Sequence, residues 1–199
     1  MSHLTNKSVI NADTARLSCG EQPRTTVAYH TQEKRWQVLT SPARCTRHDA
    51  WLGDAYYFWR DETDAMHWGH TSKRNTGAFE IYQCDITSNR YLDTVFNEDH
   101  YTFWIRQLEK ISTKIVIQTG EKPTVKELND YIKDKQVWGQ VDYIQYQDSP
   151  ARADTSLVKP IEMAKGGTRI VPFRKRIQIA VYNPEIINNF TLKNTLRVS

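Results

Sequence analysis

Val27-Ala28-Tyr29-His30-Thr31 and Trp51-Leu52-Gly53-Asp54-Ala55-Tyr56-Tyr57-Phe58-Trp59 are the two stretches on which the fold turns. The first reads as a strand from Thr25 that ends at the imidazole of His30. The second is a glycine turn running into an aromatic strand over Ala55 to Trp59. Side chains alternate along a strand, so Tyr56 and Tyr57 face opposite sides and Tyr56 is assigned to the core. Between the two stretches, residues 32–49 are irregular, with a turn signal at Ser41-Pro42 and a short helix expected near Trp36. Segments of this kind commonly lie as lids over pockets. After the second stretch, Asp61 caps a helix that runs to Trp68, with Ala65 and Trp68 on one face.

Further along, Ala78 to Ile86 has the apolar and aromatic content of a central strand, and Asp99 to Ile111 has helical spacing through Phe103, Trp104, Leu108 and Ile111. Thr124 and Glu127 form a capping box that opens a helix to about Lys135. Val141 to Tyr146 is the next strand, residues 149–167 are a polar loop, and Arg176 to Tyr182 alternates cleanly as a strand stopped by Asn183-Pro184. The last residues are a short strand or coil. Short strands interleaved with isolated helices predict an α+β domain over residues 23–199, with residues 1–22 a polar extension.

The chain has 199 residues, 39% hydrophobic and 25% charged, which suits one globular domain. A net charge of +4 permits an anionic partner without requiring one. Three cysteines with no CxxC spacing imply neither a disulfide framework nor a zinc site, and fit a reducing cytoplasm. Cys84 reads as a small core residue. No stretch reads as a membrane span or a signal peptide. The glycines do not form a phosphate-binding loop between a strand and a helix.

The ordered set of His30-Thr31, the WLGDAYYFW block, AFEIYQCDI and the Arg176–Ile186 strand resembles the ADP-ribosyltransferase superfamily, on the branch of diphtheria toxin and the poly(ADP-ribose) polymerases. The resemblance spans roughly residues 25–190. It implies a split β-sandwich with short flanking helices and NAD as co-substrate, with no metal. GDAYYFW is similar to the family pattern Gly-x-Gly-x-Tyr-Phe, with Ala55 in place of the second Gly. The resemblance implies that His30 bonds a ribose hydroxyl, the Thr31 backbone holds the carboxamide, and Tyr57 stacks on the nicotinamide. Gly53, Phe58, Ala65 and Trp68 complete the implied pocket, with Trp68 or Tyr82 as the second aromatic wall. A π-face suits a cationic ring. The family usually has Gly where Thr31 stands, which a backbone contact tolerates if the side chain points away. The Arg…Ser-Thr-Ser…Glu-x-Glu set of the cholera-toxin branch is absent from the sequence.

Gln178 falls where the polymerases and diphtheria toxin have Glu. A carboxylate there stabilises the positive charge that builds on the ribose as the nicotinamide bond breaks. Gln178 still offers a hydrogen bond but no charge, which favours single transfer over chain elongation. Asp142 is a candidate substitute carboxylate, although its alignment makes it structural. Each residue also has an ordinary reading. A lone His usually satisfies a backbone carbonyl, a strand Tyr usually packs, and Gln178 fits an exposed strand face.

The implied activity is mono-ADP-ribosyl transfer by a compact toxin, of the bacterial or phage-related type found in toxin–antitoxin and phage-defence loci. A neutralising antitoxin follows at the family level only. Lys34, Arg35, Arg44 and Arg47 near the lid, with Arg169, Arg174, Lys175 and Arg176 before the closing strand, suit phosphate contacts. With Trp36 or Trp51 for base stacking, they point to an RNA acceptor ahead of DNA or protein. Two alternatives remain. One is a non-catalytic module that binds NAD, ADP-ribose or nucleic acid. The other is an NAD-dependent RNA 2′-phosphotransferase, for which the Arg and His pair is not seen.

Overall fold

A computed structural model describes residues 22–72, 75–134, 141–148, 161–162, 168–169 and 176–198. Its main sheet has seven strands in the order β4-β5-β8-β2-β1-β3-β9. These are β1 (Arg24–Glu33), β2 (Tyr56–Trp59), β3 (Ala78–Ser88), β4 (Tyr91–Asp93), β5 (Tyr143–Asp148), β8 (Arg176–Val181) and β9 (Ile187–Arg197). β4 and β5 are parallel and the other neighbours antiparallel. A two-stranded ribbon, β6 (Ile161–Glu162) and β7 (Thr168–Arg169), lies outside the sheet order. The helices are α1 (Glu62–Ser72), α2 (Glu98–Thr119) and α3 (Val125–Asp134). The architecture is α+β.

The two halves of the sheet meet at a narrow join. β1 runs beside β3 over its full length, Arg24 with Ser88 through Glu33 with Phe79. β1 and β2 share one ladder pair, Tyr29 with Trp59. No further ladder pair joins the two strands as β1 continues to Glu33 and β2 runs back to Tyr56. Buried residues of both halves nevertheless share a core: Ala28, Phe58, Cys84, Ile86, Tyr143 and Ile179 form one cluster. Burial pushes the Cys84 thiol up to about 12, as befits a core residue.

The helices cover the other surfaces. α2 and α3 bury Trp104, Leu108, Ile111, Leu128 and Ile132 against Leu92, Ile144 and Ala180 of the β4-β5-β8 half. α1 buries Ala65 against Phe79, Ile81 and Trp59. Its close approach needs Gly69, where a Cβ would overlap the Phe79 ring.

Several local expectations meet the structure directly. Thr124 Oγ1 accepts from Glu127 N at 3.2 Å, and Thr124 N donates to Glu127 Oε2 at 2.7 Å. Asp61 Oδ1 accepts from Thr63 N at 2.8 Å at the start of α1. α2 differs: it runs eight residues past Ile111, ending where Gly120 takes φ 76° and donates its N–H to Val116 O. The helix is therefore not short, because the stop signal is the glycine rather than the end of the apolar stripe. The segment near Trp36 holds no helix, and Trp36 is fully exposed. β3 is an interior strand, paired with β1 on one side and the edge strand β9 on the other. The expected extension over residues 1–22 falls, except for Gln22, outside the described residues. Among the described residues, no helix is long and apolar enough to cross a membrane.

Candidate functional site

The cleft opens where β1 leaves β2, and its volume is about 390 Å³. That is within the range of small-molecule sites. His30, Thr31, Tyr57, Trp68 and Gln178 all line it. These residues are scattered over the chain from β1 to β8, and the sheet gathers them because β2 lies between β1 and β8.

His30 is buried and makes two defined contacts. Its Nδ1 lies 2.9 Å from Tyr57 O, and Ala43 N lies 3.4 Å from its Nε2. A carbonyl only accepts and a backbone N–H only donates. The ring therefore carries its hydrogen on Nδ1 and presents the Nε2 lone pair to Ala43. In the opened part of the join, this side chain replaces the missing ladder bond between β1 and β2. Thr31 directs Oγ1 to Ala65 O at 2.9 Å, so its side chain bonds α1.

Tyr57 turns its hydroxyl to Gly53 O at 2.8 Å, and burial pushes that hydroxyl far above its ordinary value. Gly53 has φ 85°, a left-handed geometry that favours glycine. It does not line the cleft; it holds the turn that anchors Tyr57. Two more residues named from sequence as ligand contacts are corrected in the same way. Phe58 is completely buried in the shared core, with its ring 5.5 Å from that of His30. It points away from the cleft because it neighbours Tyr57 on a strand. Ala65 is also completely buried and serves as the acceptor for Thr31. Of the two candidates for the second aromatic wall, Trp68 lines the cleft. Tyr82 instead stacks on Phe190 at 4.8 Å and donates to Glu80 Oε2 at 2.6 Å.

Gln178 sits in register between Trp59 on β2 and Tyr146 on β5. Its Oε1 is buried, with no hydrogen-bond partner among the described residues. Such an atom is costly unless something supplies a donor. Asp142 is structural: it accepts from Ser88 Oγ at 2.6 Å, Arg90 Nη2 at 2.7 Å and Asn183 Nδ2 at 3.1 Å. Burial opposes its charge, but these bonds outweigh that and hold its carboxyl below the ordinary value.

Among the basic residues, Arg35, Arg44 and Arg47 line the cleft, and Lys34 is exposed beside them. Arg47 is held by Asp49 through two bonds of 2.9 and 2.6 Å. Arg176 departs from its expected role at a target surface. Its guanidinium lies 5.0 Å from the centre of the Trp59 ring, between Asp148 at 3.4 Å and Asp64 at 3.8 Å. Arg174 and Lys175 lie outside the described residues, and nothing is described of the Arg169 side chain.

Trp59 and Asp148 are among the cleft residues that escaped the sequence reading. Trp59 was legible as the end of an alternating strand, on the same side as Tyr57. Asp148 had no local signal, since it reaches the cleft only through the pairing of β5 with β8. Among the described residues, no group of three or more His, Cys, Asp or Glu comes together to hold a metal ion. No known family model matches the chain, and no curated protein matches it.

Proposed function

We propose that this protein is an NAD-dependent mono-ADP-ribosyltransferase acting on a macromolecular acceptor, with RNA favoured over DNA and protein. The observation that carries the reading is the convergence of His30, Thr31, Tyr57, Trp68 and Gln178 on one cleft at the opening of the sheet. In this reading the nicotinamide end of NAD enters between Tyr57 and Trp68. The Nε2 lone pair of His30 accepts a ribose hydroxyl after Ala43 N–H yields. Gln178 accepts a second ribose hydroxyl at its unpartnered Oε1. Confinement of the reacting centre then replaces solvent with fixed dipoles. The fold reading that accompanies it is the ADP-ribosyltransferase-like split β-sandwich, supported by the single ladder pair between the halves and their shared core.

The RNA preference rests on Lys34, Arg35, Arg44 and Arg47 around the cleft mouth and on the fully exposed Trp36 between them. Phosphates pair with the former and an unstacked base with the latter. The proposal extends to a cytoplasmic toxin with a neutralising antitoxin.

One observation favours a second reading, a non-catalytic module for NAD or ADP-ribose. The position expected to carry an acid is the neutral Gln178, and Ala43 N–H already covers His30. Labelled NAD incubated with cell RNA, DNA and protein in separate tubes separates the readings. Transfer into one pool, lost with His30→Ala and with Tyr57→Ala, supports the transferase. NAD binding without transfer or nicotinamide release favours the module. Cleavage that survives both substitutions overturns the site assignment.

A further inference from the structure

We propose that Asp148 supplies the carboxylate of this site, standing on the neighbouring strand in place of an acid at position 178. The inference rests on the transferase reading. In the β5–β8 ladder, Asp148 pairs with Arg176 and Tyr146 with Gln178, so all four side chains share one face of the sheet. Diagonal neighbours such as Asp148 and Gln178 lie about 7–8 Å apart at Cα, within joint reach of one small group. Both line the cleft.

Cleft carboxylates are few. Asp49, also at the cleft, lies in the 34–50 segment that carries Ala43, with its side chain 52% exposed and chelated by Arg47. Asp148 has a side chain 23% exposed and comes from the sheet itself. Arg176 aims it: the guanidinium lies against Trp59 and touches Asp148 Oδ2 through Nη2 at 3.4 Å. That ion pair orients the carboxylate.

The chemistry needs such a group. The bond between ribose C1′ and the nicotinamide nitrogen breaks, and its electron pair goes to that nitrogen. Neutral nicotinamide leaves and C1′ becomes cationic. An oxygen or nitrogen of the acceptor, or water, bonds to C1′ and releases one proton to solvent. Asp148 faces the cation, while Gln178 holds the ribose.

The test compares wild type, Asp148→Asn, Asp148→Asn with Gln178→Glu, and His30→Ala, measuring nicotinamide release and NAD binding separately. Asp148→Asn is expected to bind NAD within about twofold of wild type and to release nicotinamide about a hundredfold more slowly, the scale of losing one electrostatic contact to a transition state. Adding Gln178→Glu is expected to return at least about tenfold, because a carboxylate reappears on the same face. A slow step with binding intact supports the proposal even without that recovery. Release by Asp148→Asn at the wild-type rate, with His30→Ala inactive, overturns it and leaves the transferase reading standing. So does a loss that follows lost NAD binding or a lower Tm, which would make Asp148 a prop for Arg176. If wild type releases no nicotinamide, both readings fall together.

Discussion

Gly53→Ala separates a backbone requirement from a packing requirement, with Gly77→Ala as its control. Both glycines have positive φ, 85° and 68°. Placing Ala in the left-handed region costs about 1–2 kcal/mol at either site. They differ in surroundings. A Cβ on Gly77 meets nothing within 4 Å, whereas on Gly53 it would sit 2.7 Å from Asp130 Oδ1. That oxygen accepts from Asp54 N at 3.0 Å, and the other oxygen of Asp130 pairs with Lys126 at 2.6 Å. Moving the carboxylate weakens these half-exposed bonds by about 1 kcal/mol together. Gly53→Ala is thus expected to cost about 2–3 kcal/mol and Gly77→Ala about 1–2. With a urea slope of about 2 kcal/mol/M, their midpoints differ by about 0.5 M. Equal midpoints would refute the role given to Asp130. Gly53 O also accepts the Tyr57 hydroxyl, so NAD affinity should fall with Gly53→Ala and hold with Gly77→Ala.

Gly69→Ala drives a methyl into the completely buried Phe79 ring and is expected to cost about 1–3 kcal/mol in urea unfolding, despite the better helix propensity of Ala. A neutral result would mean that α1 slides freely on β3. Asp142→Asn should destabilise most at neutral pH, since the folded carboxyl lies below its ordinary 3.8 while the unfolded one does not. Stability from a depressed carboxyl is present above the unfolded value and lost as pH falls through the folded one. The gap between variant and wild type should therefore narrow below about pH 4 in stability-against-pH curves. If Lys34 and Arg35 contact RNA phosphates, removing either should flatten the salt dependence of RNA binding by about 0.7 in log–log slope. An unchanged slope argues for another acceptor surface.

What the sequence disclosed was local. The Thr124–Glu127 box, the Asp61 cap and the strand from Arg176 each depend on neighbours within a few residues, and each reappears in the structure. β9 was barely legible because it is an edge strand: most of its residues are exposed, and Ile187, Phe190 and Leu196 contribute packing. β4, three residues long, is defined by its partner β5 rather than by its own pattern. The candidate site followed the same division. His30, Tyr57 and Gln178 stood out by their motifs. The inward turn of Arg176 and the arrival of Asp148 arise from pairing across the sheet, which no short window contains.

The ordinary and functional readings of His30 are not rivals. Where β1 leaves β2, Tyr57 O loses a ladder donor, and the imidazole restores it through Nδ1. That bond places the Nε2 lone pair opposite Nδ1, where Ala43 N–H meets it at 3.4 Å. A contact of that length is weak, so under the proposed function a ribose hydroxyl would displace it at little cost. The gap in the sheet thus supplies both the cavity and a histidine with a fixed tautomer. His30→Ala should lower stability by about 1–2 kcal/mol by removing the donor to Tyr57 O. It should also abolish NAD cleavage at temperatures well below the lowered Tm. A variant that unfolds earlier but cleaves NAD at the wild-type rate would leave His30 its structural half alone.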